Sequence, residues 1–406
     1  MAPNPRDLDV LFLADEIPPV VSGRSHLVAS IVRRQPADGT YLISGTPGSS
    51  AVLGVDAHVH RVPALLARFG GGLARERHRN WILGRRRPDL VVACGLGDEA
   101  TAARALKEQH GIPYLLHVEA PALATARRKI REGGADGARF LRLFDEAASL
   151  VTASGACRLE AYKCGVLPQQ LDVVPVGVDL ERFRPGEKSA ALAKKLKAER
   201  GPVLLTVVGR GPAKDLETVY RAFAVLRGQR RSAVLIVVGA DERREKKAVK
   251  EARVERHVRF LPRVEPQEMP ELYRLADAYL TAHRERHAEW IVAGVEVAIV
   301  EALASGLPVF GTRAAITEEL APPEEVGMLV EAEAHQKLGR LVAETLKDSE
   351  LTAEYAQEAR ARAERLHSDV ENGAAFRELL SVIHYRRLGR SAAPPANDRA
   401  TERNAA

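Results

Sequence analysis

The chain has 406 residues, enough for two domains with sizeable cores, and its 46% hydrophobic and 28% charged content is that of a globular protein. No apolar run approaches a membrane span, and the three cysteines, Cys94, Cys157 and Cys164, have no CxxC spacing and leave one unpaired in any disulfide scheme. A net charge of +6 calls for an anionic partner; nucleic acid ranks low, because aromatics are only 5% and neither zinc-finger spacing nor an RNP-like signature is present.

In chain order, the opening MAPNPRDLDVLFLADE lacks a basic segment followed by a long apolar one and runs straight into a strand. With the unpaired cysteines, this predicts a chain that is not secreted and works in a reduced cytoplasmic setting. Strands are expected near 10–14, 40–44, 90–93, 114–117, 149–153 and 171–175, alternating with helices. After the first strand, Gly23 lets the backbone approach a ligand before a helix led by Arg24 and Ser25. There is no GxGxxG and no GxxxxGK, so neither a dinucleotide fingerprint nor a P-loop is present. The stretch ALLARFGGGLARERHRNWILGRRRP interleaves seven arginines, from Arg68 to Arg87, with Leu65, Phe69, Trp81 and other apolar residues. It reads first as a solvated basic helix packed by its apolar face, and second as a surface for anionic lipid. His117 closes an apolar strand at a sheet edge and on its own reads as a satisfied core histidine.

A polar stretch at 184–202, RPGEKSAALAKKLKAERGP with its flanking residues, is the expected linker. Strands resume near 203, 233, 258, 278, 308 and 327, and helices are expected at 334–346 and 350–365, with SDVENGAAFRELLSVIHYRRL as the last. The tail from Ser391 has no periodicity and is expected to be disordered. Two histidine pairs, His58 with His60 and His283 with His287, lack the HExxH pattern and a well-spaced third ligand, so no metal is expected.

Two segments of the second half carry chemistry. In GVEVAIVEALASGLPVFGT, Gly294 precedes a helix over 297–305 that contains Glu301, Gly306 is a helix C-cap, and 307–310 resumes as a buried strand. A helix N-terminus offers unpaired N–H groups to a phosphate, and a carboxylate one turn in can accept hydrogen bonds from ribose hydroxyls. The bland alternative is an ordinary β-α-β segment with an exposed helical Glu. Some ninety residues earlier, VLLTVVGRGPAKDLETVYRAFAVL sets Arg210 and Lys214 in a turn between a strand and a helix, where two cations suit a diphosphate leaving group.

With these blocks in order, followed by AVLIVVGADERRE, VRFLPRVEPQEMPELYRLADAYL and EEVGMLV, the second half resembles the nucleotide-binding domain of the retaining glycosyltransferases of family 4. In the first half LFLADEIPPVVSGRSHLVASIV, GIPYLLHVEAP, VTASGACRLEAYKCGV and VVPVGVDLERFRPG are similar to the family's opening loop, strand-end His and interdomain segment. The resemblance implies the α/β GT-B fold: two Rossmann-like doubly wound domains facing a central cleft. It divides the chain into an acceptor domain at 1–186, a nucleotide-sugar domain at 187–368, a helix at 369–389 returning to the first domain, and a tail at 390–406.

By that resemblance the protein is expected to move a sugar from a nucleoside diphosphate sugar to an unidentified glycan, lipid or small-molecule acceptor, with retention and without metal or other cofactor. Arg210 and Lys214 would hold the departing diphosphate, Glu301 the ribose, and His117 the sugar at the reaction centre; Gly23, Gly294 and Glu296 would complete the donor site. The setting is cytoplasmic, with peripheral contact to an anionic membrane the second possibility for the basic stretch. The chain departs from the pattern where the family's first Glu falls: Ala293 stands there, Val295 and Glu296 follow Gly294, and about seven extra residues precede Glu301. Glu285, Glu289 or Glu296 would then take the missing role. The cations are also one residue closer than usual, Asp215 replaces a common Gly, and Val176 an Asn. The alternative is a catalytically silent GT-B protein that binds a nucleotide or a partner enzyme; a sugar phosphorylase or nucleotide-sugar epimerase ranks third.

Overall fold

The structure, a computed structural model, describes residues 8–17, 23–36, 39–44, 58–61, 84, 87–208, 215–283 and 296–387. Two all-parallel sheets carry the fold. The first has the order β3-β2-β1-β4-β5-β6-β7, from β1 (Val10–Ala14), β2 (Thr40–Ser44), β3 (His58–Arg61), β4 (Leu90–Ala93), β5 (Tyr114–His117), β6 (Ser149–Thr152) and β7 (Leu171–Val173). The second has the order β10-β9-β8-β11-β12-β13, from β8 (Val203–Val207), β9 (Val234–Val238), β10 (Val258–Leu261), β11 (Ala278–Thr281), β12 (Val309–Thr312) and β13 (Gly327–Val330). Helices cover both faces of each sheet, so central strands are apolar throughout: β1 reads VLFLA and β9 reads VLIVV, with every residue buried. These are two doubly wound Rossmann-like domains, the architecture expected from the sequence.

Two expectations change. The first sheet has a seventh strand, β3, paired in register with β2 from Tyr41–His58 to Ser44–Arg61. His58 and His60, whose alternation reads as a strand or a loop, therefore belong to a ladder. The stretch taken as a linker holds a helix, Ala190–Leu196, capped by Ser189, whose hydroxyl accepts from the Leu192 N–H at 3.2 Å. Its Ala193 and Leu196 join the second domain's core, which offsets the polar surroundings that hid it.

Strand order reverses between β1 and β4 in the first sheet and between β8 and β11 in the second. In open α/β sheets the crevice at such a reversal, outside the strands' C-terminal ends, is where ligands bind. The loops after β8 and β11 hold the two chemical segments found in the sequence. The last helix, Asp369–Arg387, packs on the first domain, its Phe376 lying 6.4 Å from the Phe12 ring. Arg34 clamps Asp369 through Nε at 3.1 Å and Nη2 at 2.7 Å.

Candidate functional site

On the side of the second domain, the site is built around a short helix, Val297–Ala304. It stops at Gly306 in a two-bond cap: the Gly306 N–H donates to Leu303 O and the Leu307 N–H to Ala302 O, both at 2.9 Å. Gly306 has φ +70°, and an added Cβ would meet Pro185 at 3.0 Å, so the sequence reading of this glycine as a C-cap is correct. The apolar positions of the helix apart from Ala298 are buried, and Glu301 is buried with them at 6% exposure. It is not an exposed helical Glu. Its Oε2 accepts a hydrogen bond from the Tyr273 hydroxyl at 2.8 Å. Burial pushes the Glu301 carboxyl up to about 7, partly offset by that hydrogen bond and by the charge of Arg182.

Glu296 is the N-cap residue of the same helix, and its Oε1 lies 3.3 Å from His283 Nε2. His283, just past the end of β11, is 4% exposed; its Nδ1 lies 3.3 Å from the Thr317 hydroxyl and its N–H donates to Thr312 Oγ1 at 2.8 Å. An Nε2–H donated to Glu296 leaves Nδ1 to accept from Thr317. A side-chain contact thus joins His283 to Glu296. Gly294 of the expected donor site lies outside the described residues, as do Ala293, Glu285 and Glu289.

Arg210 and Lys214 lie outside the described residues as well, but both ends of their turn are described. It leaves β8 and returns at Asp215, which caps the helix Leu216–Gln229 by accepting from the Thr218 N–H at 3.3 Å and hydroxyl at 2.8 Å. The Asp215 N–H donates to Ala282 O at 2.9 Å, joining the start of that helix to the end of β11.

In the first domain Gly23 begins the helix Gly23–Arg33, directly after β1 and its loop. His117 ends β5, is 2% exposed, and meets the Phe376 ring edge-on at 5.9 Å. Its Nε2 has no hydrogen-bond partner among the described residues, and burial holds the imidazole down at about 4, so it is neutral near pH 7. The starts of the helices that follow β4 and β5 carry carboxylates that the sequence reading did not single out. Glu99 accepts from the Gly97 N–H at 3.1 Å and is pushed up to about 7 by burial and by the Asp15 carboxyl. Glu119 stands 4.0 Å from Arg24 and is raised by burial.

Arg182, in the segment joining the domains, acts electrostatically on both Glu301 and His26 of the first domain's opening helix, and donates to Pro266 O. Neither Arg182 nor Tyr273 was identified from the sequence. Tyr273 sits inside ELYRLADAYL, one of the family-like blocks, but at helical spacing an aromatic looks the same whether it fills a core or holds a carboxylate. Among the described residues no group of three or more His, Cys, Asp or Glu could hold a metal ion, and no helix is long and apolar enough to cross a membrane.

Two Rossmann-like domains, each a doubly wound parallel sheet, make up the architecture of the GT-B fold. Residues 187–362 match the family model described as glycosyl transferases group 1, so the second domain of this chain is similar to that family. Over 181 residues, 44% of this chain and 47% of the relative, it is 29% identical to the GDP-mannose-dependent alpha-(1-6)-phosphatidylinositol monomannoside mannosyltransferase of Mycobacterium tuberculosis. That match spans about half the relative's length. A longer match, 24% identical over 83% of this chain and 88% of the relative, is to the GDP-mannose-dependent monoacylated alpha-(1-6)-phosphatidylinositol monomannoside mannosyltransferase of Corynebacterium glutamicum. Among solved structures, HepE of Anabaena in complex with UDP-glucose superposes with a TM-score of 0.72 at 17% identity, covering 92% of this chain and all of the other.

Proposed function

We propose that the protein is a glycosyltransferase that moves a sugar from a nucleoside diphosphate sugar to an acceptor hydroxyl, with retention of configuration. The observation that carries this reading is Glu301: a carboxylate buried on the helix that follows β11, within the matched family segment. In this reading Glu301 accepts hydrogen bonds from the ribose hydroxyls, and Arg210 and Lys214 stabilise charge growing on the diphosphate as its bond to the sugar carbon breaks. A diphosphate oxygen takes the acceptor's proton as the new bond forms on the same face. His117, neutral and at a strand end, would hold the sugar. No metal or cofactor is required.

The Mycobacterium and Corynebacterium relatives are named GDP-mannose-dependent, so GDP-mannose is the first donor to test and UDP-glucose the second. Their names also support a lipid-linked acceptor, and with it a cytoplasmic protein that touches an anionic membrane through the basic stretch before Arg87. Thermal shifts with GDP, UDP and their sugars, followed by release of free sugar or transfer to extracted lipids, test the reading. A ligand at a hundred times its dissociation constant stabilises by about 2.7 kcal/mol. No shift with any nucleotide and no turnover of any donor would refute it.

One observation favours the second reading, a nucleotide-binding protein without turnover: Ala293 stands where the family has its first Glu, while Glu296 faces His283. If Glu285, Glu289 or Glu296 replaces the missing carboxylate, one of the three Gln variants will lose turnover yet keep nucleotide binding. Nucleotide binding without turnover in the wild type would select the silent protein.

A further inference from the structure

We propose that Tyr273 is a positioning residue for the nucleoside, its hydroxyl holding the Glu301 carboxylate in the orientation that receives the ribose. The inference rests on the reading of Glu301 as the ribose ligand and adds the element that aims it. Tyr273 is fully buried, on the helix Met269–Leu275, and its hydroxyl lies 2.8 Å from Glu301 Oε2 and 3.2 Å from Ala298 O. A hydroxyl has one proton to give, and the shorter contact to an ionisable acceptor is the stronger. The ring cannot swing away: Phe183 meets it edge-on at 5.8 Å and Tyr279 lies against it at 6.4 Å. Phe183 follows Arg182 in the interdomain segment, so the covalent joint of the two domains buttresses the residue that orients Glu301.

A carboxylate buried to this degree would otherwise keep its proton, and a protonated carboxyl is a poorer acceptor for two ribose hydroxyls. The groups facing Glu301 are Tyr273 from its helix, Arg182 from the interdomain segment and Tyr279 from β11, with Glu296 one turn back at the helix start. Tyr273 and Arg182 favour the ionised form; burial opposes it. Tyr273 itself is raised well above the ordinary tyrosine value, chiefly by burial, so it remains a donor over the whole working range. A tyrosine that only filled the core would leave the ionisation of Glu301 unaffected.

Calorimetric titration of GDP and of UDP into the wild type, Tyr273→Phe, Tyr279→Phe and Glu301→Gln from pH 6 to 9 tests this. Tyr279→Phe removes a hydroxyl from the same stack without touching the Tyr273–Glu301 bond. For whichever nucleotide binds the wild type, Tyr273→Phe should weaken binding about tenfold at pH 7 and displace the rise of affinity with pH to higher pH. Titration of the nucleotide's own phosphate is common to all four proteins and cancels in the ratio to wild type. Glu301→Gln should lose the Glu-dependent part of the rise, and Tyr279→Phe should follow the wild type. Loss of affinity in Glu301→Gln with Tyr273→Phe unchanged in affinity and pH profile would overturn the positioning role alone. Wild-type binding by Glu301→Gln, or no binding of either nucleotide to the wild type, would overturn the ribose reading and this inference with it.

Discussion

At the scale of single residues, the chemistry depends on charges kept in or near an apolar interior. Glu301 stays protonated in the folded protein up to about pH 7, whereas in the unfolded chain it ionises near its ordinary value of 4.5. Between those values the native state binds more protons than the unfolded one, so this group's contribution makes stability fall as pH rises, by an amount on the order of 3 kcal/mol. His117 and His367 work in the opposite sense: both are held down to about 4 by burial, and the stability tied to their neutral forms is lost as pH falls from 6.5 through 4. Glu301→Gln removes only the first effect. Its melting temperature relative to wild type should therefore climb between pH 4.5 and 7 and stay level above, and a constant difference across that window would contradict the raised carboxyl. Changing Arg210 or Lys214 to Ala tests the diphosphate contact. Each should weaken nucleoside diphosphate binding by about 1.5–3 kcal/mol, leave nucleoside binding unchanged, and leave the melting temperature of the free protein within a degree or two, since neither belongs to the described cores.

At the scale of elements, helix ends position the site. The donor-side helix begins at Glu296, tied to His283, and stops at Gly306, so Glu301 sits on barely two turns held at both ends. The last helix is held by other means. Asp369 is 4% exposed and receives both Nε and Nη2 of Arg34, and its N–H donates to Val178 O at 3.2 Å. Gly177 sits so close that an added Cβ would lie 2.4 Å from the Asp369 Cα. Asp369→Asn keeps the volume but leaves Arg34 without its counter-charge. Because Arg34 is about a third exposed, the expected cost is about 2 kcal/mol, below the range for a fully buried pair. Chemical denaturation should show that loss, together with faster amide exchange along the last helix; exchange unchanged from wild type would mean that the apolar contacts of Phe376, Leu380 and Ile383 hold it without the ion pair.

At the scale of the whole molecule, the domains are latched directly as well as through the joining segment. The Glu319 carboxylate, on the helix Ala315–Leu320 of the second domain, accepts from the Gly155 N–H at 2.7 Å and the Ala156 N–H at 2.8 Å, the first two residues of the helix Gly155–Lys163 in the first domain. A carboxylate there satisfies two orphan donors and the positive end of the helix dipole. The same short helix carries Thr317, which contacts His283 just past the end of β11. Removing the latch with Glu319→Ala should cost about 1 kcal/mol and bias the protein toward an open form. Small-angle scattering should record a larger radius of gyration for the variant without ligand, and an identical radius would show that the latch does not set the closed state.

Local residue patterns by themselves determined the doubly wound domains and most of their elements, because strands buried on both faces must be apolar runs and because Gly306 admits a backbone that other residues resist. They also marked Glu301, since helix start, carboxylate and tight turn fall within one short segment. Tertiary structure alone decided whether that Glu is solvated or buried and which groups meet it there, because Tyr273 and Arg182 lie nearly thirty and more than a hundred residues away in the chain. It alone decided between strand and loop at 58–61 and found the helix at 190–196, whose stability comes from a neighbouring strand and a distant core. It alone joined Glu319 to Gly155, a contact across 164 positions that no periodicity records, because sequence patterns register the face a residue presents and not the partner that meets it.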